Sequence, residues 1–196
     1  AAPINVAPIL RKLIFEAVGS AVLTSATLAT RRSGQRGFAY VRGRLGMDEG
    51  HELLLDSPFD FRRQARLYVE TRLGEPNDLD AFAPAAAGAV AHYAEQSQGR
   101  CFVLLTSYRM LQAVAEQLRA FCEENDYQLL AQGGPLQRGR MLARFRKRPR
   151  SILLGTLSFW QGVDVAGEAL GNVVIAKLPF AVPDAPLTEA RLDAIR

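Results

Sequence analysis

Cysteine, histidine and tryptophan are scarce in this chain, and each scarcity closes off a kind of chemistry. Cys101 and Cys122 are the two cysteines among 196 residues. They are too few and too far apart for a zinc motif or a disulfide framework. Both suit a reduced core, which fits an intracellular protein. His51 and His92 are the two histidines, each without a ligand-spaced neighbour, so each reads as a surface or packing residue. No apolar run approaches the ~20 residues of a membrane-spanning helix, and no secretory signal pattern opens the chain. The expectation is a cytoplasmic protein with no membrane partner. A GKT or GKS phosphate loop is missing, as are a DEAH-type acidic box and a GxGxxG turn after the first strand.

What is present is a large apolar share and a local excess of positive charge. With 48% of its residues hydrophobic, the chain can bury a core and form one or two domains. The formal net charge is only +4, but the stretch QRGRMLARFRKRPR, residues 137–150, holds seven cations and no acid. Such a block meets phosphate, acidic protein or water.

Periodicity gives the order of elements. PILRKLIFEAV, residues 8–18, places Ile9, Leu10, Leu13, Ile14, Ala17 and Val18 on one helical face after a proline start. AVLTSA then reads as a short strand. Residues 29–50 are rich in Arg and Gly without a period, a connector with a short helix around Phe38 to Leu45. ARLYVE, residues 65–70, reads as a second strand, and TRLGEPNDLD as a loop. From there the pattern is regular: an alanine-rich helix over 80–97, strand CFVLLT, an amphipathic helix from Ser107 to Asn125, and strand YQLLA. A basic helix over 136–147 and the strands SILLGT and NVVIAKL complete it. Strands separated by helices of ten or more residues imply parallel pairing with right-handed crossovers, and continuous apolar strands imply cover on both faces. The fold class expected is α/β, with functional loops beyond the carboxyl ends of the strands.

Four strand ends are unusually polar. TSAT, Thr24 to Thr27, is either a strand end with capping hydroxyls or a loop contact. Thr106 and Ser107 leave CFVLLT, and Ser107 is either a helix N-cap or part of a phosphate site; Arg109 follows in the first turn. After YQLLA, Gly133 and Gly134 permit a sharp turn. Gln137, Arg140 and Arg144 then share one helical face, as a solvated basic surface or a nucleic-acid contact. After SILLGT comes SFWQGVD. Its Gly162 allows close backbone approach to a ligand, and Asp164 can accept hydrogen bonds. Trp160 reads as a core plug, with a base-stacking platform as the alternative.

The succession TSAT, TSY, QGG with QRGR and FR, LLGT, FWQGVD and KLPF resembles the second half of superfamily 2 helicases. More closely it is similar to the bacterial form of the DinG/XPD-like ATP-dependent DNA helicases, over nearly the whole chain. The resemblance implies a RecA-like parallel sheet flanked by helices, incomplete at its end. It implies three segments: 1–30 as the end of a first RecA-like motor domain, 31–58 as a connector, and 59–196 as a truncated second RecA-like domain. Ser25, Ala26 and Thr27 match the motif that couples ATP hydrolysis to strand movement. Thr106 and Ser107 match the fourth motif, which touches the nucleic-acid backbone. Gln137 and Arg140 match a QxxR pattern, and Arg109 joins this nucleic-acid set. Gly162 and Asp164 match the fifth motif, which faces the ATP cleft. Gln161 stands where the family usually has Glu, which removes a charge from that position.

The resemblance also implies ATP and Mg2+ as cofactors of the full-length parent, an iron–sulfur cluster upstream, and none of these held by this chain alone. It implies single-stranded or forked DNA and the upstream first motor domain as partners, translocation from 5′ to 3′, and a nucleoid-associated place in a bacterial cytoplasm. Phosphoryl transfer needs a phosphate cradle, a metal site and a transition-state cation together. The chain is expected to be inactive as an ATPase by itself, since it stops before the family's QxxGRxxR motif. A non-catalytic nucleic-acid-binding α/β module and a different nucleotide-dependent enzyme on a doubly wound sheet are the rival readings.

Overall fold

The computed structural model describes residues 3–32, 34–165, 167–180 and 186–193. Ala166 in VDVAGEAL, residues 181–185 after KLPF and the final residues 194–196 lie outside these. The chain divides into two compact units, Tyr68–Phe180 on one hand and Ala1–Leu67 with Ala181–Arg196 on the other.

The first unit in chain order opens with α1 (Ala7–Leu10), which widens into a π-helical turn over Arg11–Phe15. The helix expected over 8–18 is therefore shorter, with Glu16 as its C-cap. Strands β1 (Thr30–Arg32) and β2 (Gln35–Gly37) form an antiparallel hairpin that the sequence reading did not anticipate; its signal was the Ser33–Gly34 pair. Helix α2 (Ala39–Leu45) fulfils the short helix expected there, and α3 (Phe61–Gln64) is a single turn capped by Asp60. AVLTSA is not a strand, and neither is ARLYVE, which runs from this unit into the next. Val22 is 91% exposed and Leu67 is 90% exposed. A strand is stable only when neighbours complete its ladder and cover a face, and neither segment has one among the described residues.

The unit Tyr68–Phe180 carries α4 (Leu79–Gln96), β3 (Cys101–Leu104), α5 (Tyr108–Glu124), β4 (Gln128–Ala131), α6 (Arg138–Lys147), β5 (Ser151–Gly155) and β6 (Asn172–Ile175). The four strands pair in the order β4-β5-β3-β6, all parallel. In register, Phe102 faces Leu153 on one side and Val173 on the other. The sheet agrees with the RecA-like α/β expectation; β3, β5 and β6 end one to three residues before their apolar runs do, and β4 ends with its run at Ala131. Helix α7 (Pro186–Asp193) lies outside this unit.

Alternation along the strands divides the core in two. Cys101, Val103, Leu105, Ile152 and Leu154 pack with Phe82, Val90, Leu111, Val114 and Leu118 of α4 and α5. Phe102, Leu104, Leu130 and Leu153 pack with Met141, Leu142 and Phe145 of α6 and with Phe159. Helices thus cover both faces, as parallel strands require. Burial pushes the Cys101 thiol up to about 12. Burial, and then the charge of Glu123, pushes Cys122 to about 11. No described helix is long and apolar enough to cross a membrane.

Candidate nucleic-acid interface

Because every strand of the sheet runs the same way, the segments after β3, β4 and β5 emerge at one edge. This brings Thr106, Ser107, Gln137, Gly162 and Asp164 to the carboxyl side of the sheet.

After β3, Thr106 is half-buried and Ser107 is exposed. Ser107 has extended backbone, and its Oγ accepts from the N–H of Met110 at 3.2 Å. It is the N-cap of α5, so the capping role holds for its side-chain oxygen. Arg109, in the first turn of α5, is exposed and has no side-chain partner among the described residues.

After β4, Gln137 takes the N-cap position of α6 without a side-chain capping bond. The cations of residues 138–150 then separate into two groups. Arg138 donates to the carbonyl oxygens of Gln161 at 3.0 Å and Gly162 at 2.8 Å, with its guanidinium over the Phe159 ring. Arg146 donates to the carbonyl oxygen of Asp164. Arg148 pairs with Asp126 at 2.5 Å. Arg150 donates to the Asn125 carbonyl and lies 4.6 Å from the centre of the Tyr127 ring. Arg140, Arg144 and Lys147 are exposed and have no partner among the described residues. Their spacing of four and three residues puts them on one stripe with Gln137, opposite the buried Met141, Leu142 and Phe145. An unpaired stripe of cations on a rigid helix is suited to a run of phosphates.

After β5, Thr156 is buried and a 3-10 turn, Leu157–Phe159, folds Phe159 back onto the strand end. Gly155 makes room for it: a Cβ there would meet the Phe159 side chain at 2.6 Å. Phe159 meets Phe102 edge to face at 5.9 Å between ring centroids. Trp160 is half-buried, packs against the same core face, and donates from Nε1 to the Leu105 carbonyl at 3.4 Å. This is the core-plug position of the sequence reading. Gly162 has φ +65°, and the side chains of Gln161, Gly162's neighbour, and Asp164 are exposed. Arg138 and Arg146 therefore clamp the 161–164 loop by its backbone and leave those two side chains outward.

Ser25, Ala26 and Thr27 are exposed, in a local turn of the other unit. Ser25 Oγ accepts from the Thr27 N–H and lies 3.2 Å from Thr27 Oγ1. Among the described residues no three His, Cys, Asp or Glu side chains gather as a metal site. Sequence reasoning missed Gln132, Tyr108, Ser158 and Arg138. The signal for Gln132 is its place as the polar side chain just beyond the end of β4.

Residues 90–196 match the family model of the helicase C-terminal domain. The chain is 38% identical over 194 residues to the ATP-dependent DNA helicase YoaA of Escherichia coli strain K12, covering 99% of this chain and 29% of that protein. It is 34% identical to the ATP-dependent DNA helicase DinG of Photobacterium profundum, covering 98% of this chain and 28% of that protein. It is 33% identical to the 3'-5' exonuclease DinG of Bacillus subtilis, covering all of this chain and 21% of that protein. The chain thus spans under a third of the length of these curated relatives. It belongs to the helicase C-terminal domain family, as a DinG-like member.

Proposed function

We propose that the chain is part of an ATP-dependent DNA helicase and supplies most of its second RecA-like motor domain, residues 59–196. On this reading residues 1–30 close the first motor domain and 31–58 connect the two. The observation that carries it is the carboxyl edge of the sheet. There the loops after β3, β4 and β5 converge and Arg138 and Arg146 fix the 161–164 loop, and from it α6 runs back along the sheet with Arg140, Arg144 and Lys147 unpaired on its exposed face. This edge binds the backbone of single-stranded DNA, including the single strand of a fork. Gly162 and Asp164 form this chain's share of the ATP cleft, and Ser25, Ala26 and Thr27 its share of the coupling between hydrolysis and movement. The upstream motor domain completes the cleft.

ATP and Mg2+ are the cofactors of the intact protein. On this reading the metal site and the phosphate cradle belong to the upstream motor domain. Cys101 and Cys122 are buried and held protonated. A cluster needs four cysteines and this chain has two, so the proposal assigns an iron–sulfur cluster of the intact protein to the upstream region. The setting is the bacterial cytoplasm, on nucleoid DNA.

The test uses the intact protein, ATP, Mg2+ and a 5′-tailed duplex. Expected are ATP hydrolysis stimulated by single-stranded DNA and release of the paired strand. Binding of DNA with no hydrolysis under any condition would instead support the non-catalytic module.

A further inference from the structure

We propose that Tyr108 and Ser158 form a pair of O–H donors for a phosphodiester group of single-stranded nucleic acid, aimed by Gln132 as a positioning residue. The inference rests on the nucleic-acid reading above and assigns to it three residues to which the resemblance gave no role.

Gln132 stands just beyond β4 and uses both ends of its carboxamide inside the fold. Its Oε1 accepts from the backbone N–H of Thr156 at 2.8 Å and from Thr156 Oγ1 at 2.9 Å. A backbone N–H can only donate. That contact fixes which end of the carboxamide is oxygen, an assignment otherwise left to the hydrogen-bond network. The amino end then donates to the Tyr108 phenol oxygen at 2.8 Å and to Ser158 Oγ at 2.9 Å. An amide nitrogen cannot accept, so both hydroxyls take the acceptor role toward it. Each keeps its own O–H proton for another partner.

Neither hydroxyl has a second partner among the described residues. Tyr108 is 50% exposed and Ser158 is exposed. Two O–H donors from the loops after β3 and β5 are therefore tied to one nitrogen and open to solvent. The ligand that matches offers acceptors only. Phosphate oxygens do so, and hydrogen bonds to a charged group are the stronger kind. Base edges carry donors as well as acceptors, so a pair of donors alone suits the backbone and no particular sequence. The same carboxamide holds the loops after β3, β4 and β5 in one register, which a shared phosphate contact needs.

The experiment is fluorescence anisotropy of the intact protein with a labelled oligo-dT across a salt series, with thermal unfolding of each variant alongside. Tyr108→Phe and Ser158→Ala each remove one hydroxyl and are expected to weaken binding by about tenfold. The slope against log salt should stay unchanged, since hydroxyls release no counterions. Gln132→Met should match the Tyr108→Phe/Ser158→Ala double variant, and adding it to that double variant should weaken binding no further. Oligo-dT affinity unchanged in both hydroxyl variants would overturn the proposal. So would a further loss on adding Gln132→Met, which would make Gln132 a general clip. If Gln132→Met does not fold, the two hydroxyl variants still decide. Failure of the wild-type protein to bind any single strand would instead remove the nucleic-acid reading itself.

Discussion

In the unit Tyr68–Phe180, apolar segments become strands because each finds a neighbour. Phe102, Leu153 and Val173 stand side by side across three of them, and helices close both faces. In residues 3–67 the apolar segments find none. Leu13, Val22 and Leu55 are exposed there, and Gly46, against the backbone of Ala7, is the one buried residue among those described. The contrast teaches that strand character lies in pairing rather than in the apolar residues themselves. AVLTSA is as strand-like by composition as SILLGT, but SILLGT has β3 and β4 on either side.

This contrast can be broken by substitution. The largest effect is expected at Phe145→Ala, which empties a fully buried site between α6 and the sheet. It should cost about 3–5 kcal/mol in urea unfolding. Leu55→Ala, at a residue 73% exposed, should stay within about 0.5 kcal/mol; a comparable loss there would mean that residues 3–67 hold a core of their own. Next come two glycines at close backbone approaches. Gly99 has φ +87°, and a Cβ would lie 2.3 Å from the Pro149 carbonyl oxygen. Gly46 has φ +77°, and a Cβ would lie 2.4 Å from the Ala7 oxygen. Each change to Ala should destabilise by more than about 1 kcal/mol. The Gly46 variant tests whether its unit has any tight contact at all. Ser107→Ala should cost about 1 kcal/mol through loss of the α5 cap.

Smallest at neutral pH is the thiol effect. A thiol's ordinary value is 9.0, and Cys101 is raised to about 12 and Cys122 to about 11. The folded state therefore keeps protons that the unfolded chain releases. The stabilisation is complete below about pH 9 and is lost as pH rises through 11 and 12. Urea midpoints should fall from pH 8 to pH 11, and less steeply in Cys101→Ala/Cys122→Ala. An equal fall in both proteins would place the effect elsewhere.

The sheet unit was legible in the sequence because apolar runs alternate with amphipathic helices long enough for parallel crossovers, and each run found its partners within the chain. The segments that failed as strands carry the same local signal and lack partners, which no local pattern records. At the candidate interface, the strand-end polar residues were recognisable by type and position. What the sequence hid was their division of labour. Seven neighbouring cations look alike in QRGRMLARFRKRPR, yet Arg138, Arg146, Arg148 and Arg150 are committed to backbone or Asp126 contacts. Tyr108, Gln132 and Ser158 lie far apart in sequence and meet only when β3, β4 and β5 are adjacent.

The central claim is that the unpaired stripe Arg140, Arg144 and Lys147 meets the nucleic-acid backbone, and the salt dependence of single-strand binding tests it most directly. In the intact protein, Arg140→Gln/Arg144→Gln/Lys147→Gln should flatten the slope of log affinity against log salt by about 2, at ~0.7 per phosphate contact. Arg148→Gln/Arg150→Gln, which removes committed cations, should leave the slope as it is. Equal slopes in the wild type and the triple variant would contradict the account.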